Sequence, residues 1–155
     1  MMIQLQGSAP LSINPNRIEL DEAYMQMAQI WSQRSKANRL QVGALIVKDN
    51  QIISDGYNGL PMGAVNEVCE FWDGDILRTK PEVLHAESNA LMKISRIGKS
   101  SGAAGGTLYC TVSACEECAK LIIQAQIKRF VYRYPYRITD GIDLLRRFGI
   151  QVDMI

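Results

Sequence analysis

No stretch of this chain approaches the ~18 continuous apolar residues of a membrane-spanning helix, so no span is expected. The opening residues, MMIQLQGSAPLS, lack a charged start and a long apolar run, and do not read as an export signal. An excess of one charge is missing too: 17 Lys and Arg against 16 Asp and Glu leave +1. Such a balance exerts no long-range pull on polyanions. A large nucleic-acid surface is therefore not expected, while a single small anionic substrate is still compatible. Cysteine is sparse, limited to Cys69, Cys110, Cys115 and Cys118. Without an export signal the expected compartment is the cytoplasm, where free thiols or metal ligation are favoured over disulfides. Scarcest of all is histidine, with His85 the only one.

What remains is enough for a core. With 155 residues, 47% apolar and 21% charged, the chain reads as one globular domain over 1–155. Residues 1–18 read as a flexible lead, broken by Pro10 and Pro15. From 19 to 34, Leu20, Ala23, Tyr24, Met27, Ile30 and Trp31 recur at three and four, the spacing of an amphipathic helix. LQVGALIVK (40–48) is an apolar strand, DN (49–50) a turn and QIISDGY (51–57) the returning strand of a hairpin. Residues 58–83, rich in Gly and Pro, read as a long loop, a feature that is usually functional. A helix follows over 85–97, then a flexible connection over 98–106. Strands at 107–112, 129–134 and 150–154 alternate with helices at 115–126 and 139–149. Alternation of this kind implies right-handed crossovers and parallel pairing. The expected fold class is α/β: a mixed sheet of about five strands with helices on both faces.

The chemistry concentrates in two places. Cys115 and Cys118 stand three apart in the first turn of a helix, which puts both sulfurs on one face. Ser113 and Glu116 fit a capping box that would start this helix. A lone C-x-x-C has rivals: a redox pair, whose active-site context is missing, and a structural zinc ribbon, whose second C-x-x-C is missing. His85 is the candidate third ligand, although a lone histidine at a helix start is more often an ordinary side chain. Three protein ligands leave a fourth position open, as in catalytic rather than structural zinc sites. Glu87, two residues on at the same helix start, is placed to move protons. The pattern H-x-E followed by C-x-x-C matches the zinc deaminase signature.

HAESNALMK with LYCTVSACEECAKLIIQAQIKRFVY resembles the cytidine deaminase superfamily. RSKANRLQVGALIV and GYNGLPMG narrow the resemblance to the deoxycytidylate (dCMP) deaminase family, over roughly residues 20 to 152. That resemblance implies the three-layer α/β/α fold and a homo-oligomer, commonly a hexamer. It implies one catalytic zinc on His85, Cys115 and Cys118, with Glu87 as the proton shuttle. The implied reaction is hydrolysis at carbon 4 of dCMP, giving dUMP for thymidylate synthesis. It also implies activation by dCTP and inhibition by dTTP, each carried with Mg²⁺. Rival activities within the superfamily act on cytidine, cytosine or transfer-RNA adenosine; outside catalysis stands an inactive nucleotide-binding zinc module.

The chain departs from the family pattern twice. Ala114 stands where proline usually precedes the first cysteine, which removes backbone rigidity but no ligand. KANR (36–39) replaces K-D-P-N. Ser35, Lys36, Asn38 and Arg39 are the candidate contacts to the substrate sugar and phosphate; a solvated, charged helix end is the alternative. Tyr136, in YPYR, stands where the family places an aromatic over the nucleotide, or else packs a loop. Asn58 and Gly59, in GYNG, are candidate effector contacts, with Gly56 and Gly59 allowing backbone to approach a ligand closely. Asn58 could serve the substrate sugar instead or as well, and NG alone is a common turn. Arg96 is either a phosphate contact or a helix-end cation facing solvent. Cys69 and Cys110 read as core or loop thiols. A second, structural zinc of the kind that uses further histidines is not supported by a chain with one.

Overall fold

Asp49 and Asn50 both take positive φ, 51° and 57°. Two such residues form the tight turn whose twist matches a strand hairpin, and they fix the first pairing. The computed structural model describes residues 12–96 and 102–155. Its elements run α1 (Leu20–Ser32), β1 (Gly43–Lys48), β2 (Gln51–Tyr57), β3 (Glu70–Asp73), β4 (Ile76–Thr79), α2 (Ala86–Arg96), β5 (Thr107–Val112), α3 (Glu116–Gln124), β6 (Arg129–Tyr134), α4 (Asp140–Arg147) and β7 (Gln151–Met154). The five-stranded sheet has the order β2-β1-β5-β6-β7. Pairing is antiparallel from β2 through β5 and parallel from β5 to β7, as the alternation of strands and helices predicts. Of the expected N-terminal lead, residues 1–11 lie outside the described residues, and 12–18 carry no helix or strand. Ile97, the predicted end of α2, and 98–101 of the predicted connection also lie outside them.

Strand alternation explains the layers. In β1, Leu45 and Val47 face one side with Tyr109 and Val131, where Tyr24, Met25 and Ala28 of α1 cover them. Ala44 and Ile46 face the other side with Leu108, Cys110 and Phe130, beneath Ala86, Ala90, Ala119, Ile122, Ile142 and Leu145 of the remaining helices. This is the three-layer α/β/α architecture. Because both faces are covered, β1 reads as a continuous apolar run rather than an alternating one. Cys69 and Cys110 are both buried free thiols, as expected. No helix among the described residues is long and apolar enough to cross a membrane.

One expectation needs correction. Residues 58–83 are not loop throughout: β3 and β4 form a separate two-stranded hairpin turning at Gly74 and Asp75. Gly56 also brings backbone close to another element. A Cβ there would lie 2.4 Å from the Ala86 carbonyl oxygen, so this glycine lets α2 lie flush on β2.

Arg129 ties the layers together at the far edge. Its guanidinium bonds both oxygens of Asp21, at 2.9 and 2.8 Å, and Asp153 at 2.6 Å. The hydrogen bond from Arg129 holds the Asp21 carboxyl below its usual value of 3.8, and the Tyr109 hydroxyl adds to this against partial burial. A folded pKa below the unfolded one stabilises the fold above the usual carboxylate range, and that contribution is lost as pH falls through the folded value. Asp21→Asn should therefore cost about 1 kcal/mol at neutral pH, allowing for solvent screening. Its Tm should also vary less with pH below about 4 than that of the parent, as thermal melts across pH would show.

Candidate metal and catalytic centre

The centre forms where two helices begin on the same face of the sheet. α2 starts directly after His85, whose carbonyl accepts from Asn89 N at 3.0 Å and Ser88 Oγ at 2.9 Å. The Asn89 side-chain amide donates to the Tyr57 carbonyl at 2.8 Å, joining this helix start to the end of β2. α3 is capped by Cys115 itself, whose Sγ accepts from Cys118 N at 3.4 Å. The predicted Ser113 cap is thus wrong. Ser113 Oγ instead accepts from Tyr136 N at 2.7 Å, tying the loop after β6 to the turn that carries Cys115.

His85 Nδ1 lies 3.4 Å from Cys115 Sγ and 3.3 Å from Cys118 Sγ. Among the described residues these three form the one His/Cys/Asp/Glu group compact enough to hold a cation. Zinc bonds of ~2.3 Å to sulfur and ~2.0 Å to nitrogen, at tetrahedral angles, separate N and S by about 3.5 Å. The donors and their spacing therefore fit zinc, with one coordination position left over.

The electrostatics agree with a cation site. Cys115 is pushed down to about 4, first by its hydrogen bond with Cys118, with His85 and the Cys118 N–H assisting against burial. Cys118 is pushed up by the same shared bond and by burial. His85 is raised, first by its bond to Cys115. Glu87 is only 4% exposed, and burial raises its carboxyl above the usual range against the pull of its own backbone N–H and of His85. It faces Cys110, whose thiol is pushed up by burial and then by the Glu87 charge. A buried carboxylate without a cation partner would be strongly disfavoured.

The remaining candidates lie on connected loops. Ser35 Oγ donates to the Asn58 carbonyl at 2.8 Å. Asn58, 9% exposed, accepts from Val42 N and donates to the Leu40 carbonyl, both at 2.8 Å. Its amide therefore fastens the entry to β1. Gly59 pairs with Leu84, beside His85. Lys36, Asn38 and Arg39 are exposed at the surface. The backbone N–H groups of Asn38 and Arg39 both donate to Glu70, at 2.8 and 3.2 Å. The Tyr136 ring is 40% exposed, with the Arg137 guanidinium 5.8 Å from its centroid. Arg96 is exposed at the end of α2, its Nη1 3.9 Å from Met62 Sδ. Sequence reasoning missed Glu70 and Gly141 as supports of these segments, and gave Ser113 a different role. Gly141 packs against the turn before α3, where a Cβ would lie 2.1 Å from the Ala114 carbonyl oxygen. An acidic residue flanked by Cys69 and Phe71 was the one signal for Glu70, and nothing local marked Gly141.

Residues 18–134 match the model of the cytidine and deoxycytidylate deaminase zinc-binding region. The chain belongs to this family. Its similarity to the deoxycytidylate deaminase of Enterobacteria phage T4 is 34% identity over 168 residues, covering 83% of this chain and 86% of that protein. The deoxycytidylate deaminase of Schizosaccharomyces pombe is 33% identical over 154 residues, covering 90% of this chain but 46% of the yeast protein. The deaminase chain thus spans about half the length of that relative. The crystal structure of dCMP deaminase from cyanophage S-TIM5, in complex with dCMP and dUMP, superposes with a TM-score of 0.81 at 43% identity. That match covers 93% of this chain and all of the phage one.

Proposed function

We propose that this chain hydrolyses dCMP to dUMP and ammonia, supplying dUMP in the cytoplasm for thymidylate synthesis. What supports the reading most is the likeness to the S-TIM5 enzyme holding dCMP and dUMP, over nearly the whole of both chains. His85, Cys115 and Cys118 would hold zinc, which when bound supplies a Lewis acid and lowers the pKa of water toward ~7. Glu87 accepts a proton from the attacking water, passes it to ring nitrogen 3, and delivers a second proton to the departing amino group. Water enters, ammonia leaves and a carbonyl stands at carbon 4. Burial keeps Glu87 away from bulk water, so its proton exchange is confined to the reacting groups.

The 35–39 loop is assigned to the sugar and phosphate, through Ser35, Lys36, Asn38 and Arg39. Supporting this is its physical continuity with the centre: Ser35 bonds Asn58, and neighbouring Gly59 pairs beside His85. Tyr136 is assigned to cover the base, held by the Ser113 bond next to Cys115. Asn58 and Gly59 are assigned to effector control by Mg²⁺-loaded dCTP and dTTP in a homo-oligomer, a hexamer by family expectation. Gly59 lines an open cleft of about 650 Å³ together with Leu60, Met62, Lys93 and Arg96, room enough for a nucleotide.

The test is ammonia release from zinc-loaded protein given dCMP, deoxycytidine, dCTP or cytosine, with and without Mg-dCTP or Mg-dTTP. We expect turnover of dCMP over deoxycytidine, raised by dCTP and cut by dTTP. Preference for another substrate would discard the loop assignments. Bound zinc without turnover on any of them would leave a nucleotide-binding module.

A further inference from the structure

Glu70 is 5% exposed, and its carboxylate holds three donors from one short segment. Oε1 accepts from the backbone N–H of Asn38 at 2.8 Å and of Arg39 at 3.2 Å. Oε2 accepts from Asn38 Nδ2 at 3.2 Å. On the same rung of the hairpin Glu70 pairs with Thr79, whose Oγ1 accepts from Arg39 Nη1 at 3.0 Å. Beneath them Cys69 packs with Ala37, Val83 and Leu60, joining the hairpin to the segment before His85.

A buried carboxylate persists only where its oxygens are satisfied, and here the donors belong to the two residues assigned to substrate. A carboxylate accepts and never donates, so Asn38 must turn its nitrogen toward Glu70. Its Oδ1 is thereby directed away from Glu70, as an acceptor for a hydroxyl or other donor. The 35–39 segment carries no regular secondary structure that would otherwise fix it.

We propose that Glu70 is a positioning residue for substrate: it holds the backbone at Asn38 and Arg39 and sets which face of the Asn38 amide the substrate meets. This rests on the assignment of the 35–39 loop to the sugar and phosphate. The β3–β4 hairpin then has a function, as the rigid support of the substrate loop.

Glu70→Gln is the discriminating variant. Its oxygen can keep the two backbone bonds, but its amide nitrogen would face Asn38 Nδ2, donor against donor, and turn the Asn38 amide round. We expect KM for dCMP to rise about tenfold with kcat within about threefold, since the lost contacts bind substrate and transition state alike. Zinc should stay at one per chain and Tm within a few degrees. Asn38→Ala should raise KM similarly, and the double variant should be no worse than the worse single one. An unchanged KM in Glu70→Gln, with Asn38→Ala still raising it, would overturn the positioning role alone. If neither Asn38→Ala nor Arg39→Ala moves KM, the loop assignment itself falls, and the role of Glu70 with it. Loss of zinc or a large drop in Tm accompanying the Glu70→Gln defect would mark Glu70 as a residue of the fold and also overturn the proposal.

Discussion

Glu87→Gln should lower kcat on dCMP by about 10³- to 10⁴-fold while zinc stays at one per chain. The magnitude is the upper part of the range for general acid–base catalysis, because one carboxylate serves two proton transfers in sequence. Glutamine keeps the length and volume of the side chain, which matters at a position 4% exposed and enclosed by the first turns of α2 and α3. It removes only the ability to take and return a proton. KM should change little, since the sugar and phosphate contacts are assigned to other residues. Glu87→Asp, one methylene shorter, should recover part of the loss, because the group is right and its reach is not. Rapid-quench assay of dUMP formation, with zinc measured on the same preparation, checks both halves. A kcat within tenfold of the parent would remove Glu87 from the chemistry. Loss of zinc together with activity would instead make it a support of the ligand set.

The centre was legible because its residues sit in two local motifs, each at a helix start. His85 and Glu87 are two apart, and Cys115 and Cys118 are three apart. What joins the motifs is the packing of α2 and α3 on one sheet face, which the strand order β2-β1-β5-β6-β7 places together and the sequence alternation alone did not. Whereas the edge strands β2 and β7 are only partly buried, the central strands β1, β5 and β6 were legible because burial on both sides writes apolar runs. The β3–β4 hairpin was not, because its residues alternate in neither burial nor polarity. Beyond Glu70 and the half-buried Leu77, its side chains are exposed, including Phe71, Trp72 and Ile76. Its link to the 38–39 segment is a set of hydrogen bonds spanning more than thirty positions, and no local pattern encodes such a bond. Ser113 shows the same limit. Its spacing to Glu116 satisfies a capping box, yet its oxygen is taken by the backbone of Tyr136, a partner that only the tertiary fold brings near.

Gly141→Ala should weaken zinc retention about 10- to 100-fold, the range seen when groups supporting metal ligands are altered. Gly141 lies in the first turn of α4, against the turn that delivers the first cysteine. A Cβ there would stand 2.1 Å from the Ala114 carbonyl oxygen, 2.6 Å from the Cys115 carbonyl carbon and 2.7 Å from its oxygen. All three are backbone atoms, so no side chain can swing aside. α4 is itself pinned in the core by Ile142 and Leu145. The strain must therefore be shared with the Ala114–Cys115 peptide, which displaces Cys115 Sγ from its spacing to His85 and Cys118. Overpacking of this kind also costs about 1–3 kcal/mol of stability. A control separates the two effects. Gly149, just past α4, has φ of 79°, and a Cβ there would meet nothing within 4 Å, so Gly149→Ala strains the backbone without touching the centre. Both variants should melt below the parent, but only Gly141→Ala should surrender zinc to a competing chelator at lower chelator concentration. Equal zinc retention in the two would show that the turn absorbs the methyl group without moving Cys115, and that α4 is packed on the centre without setting its geometry.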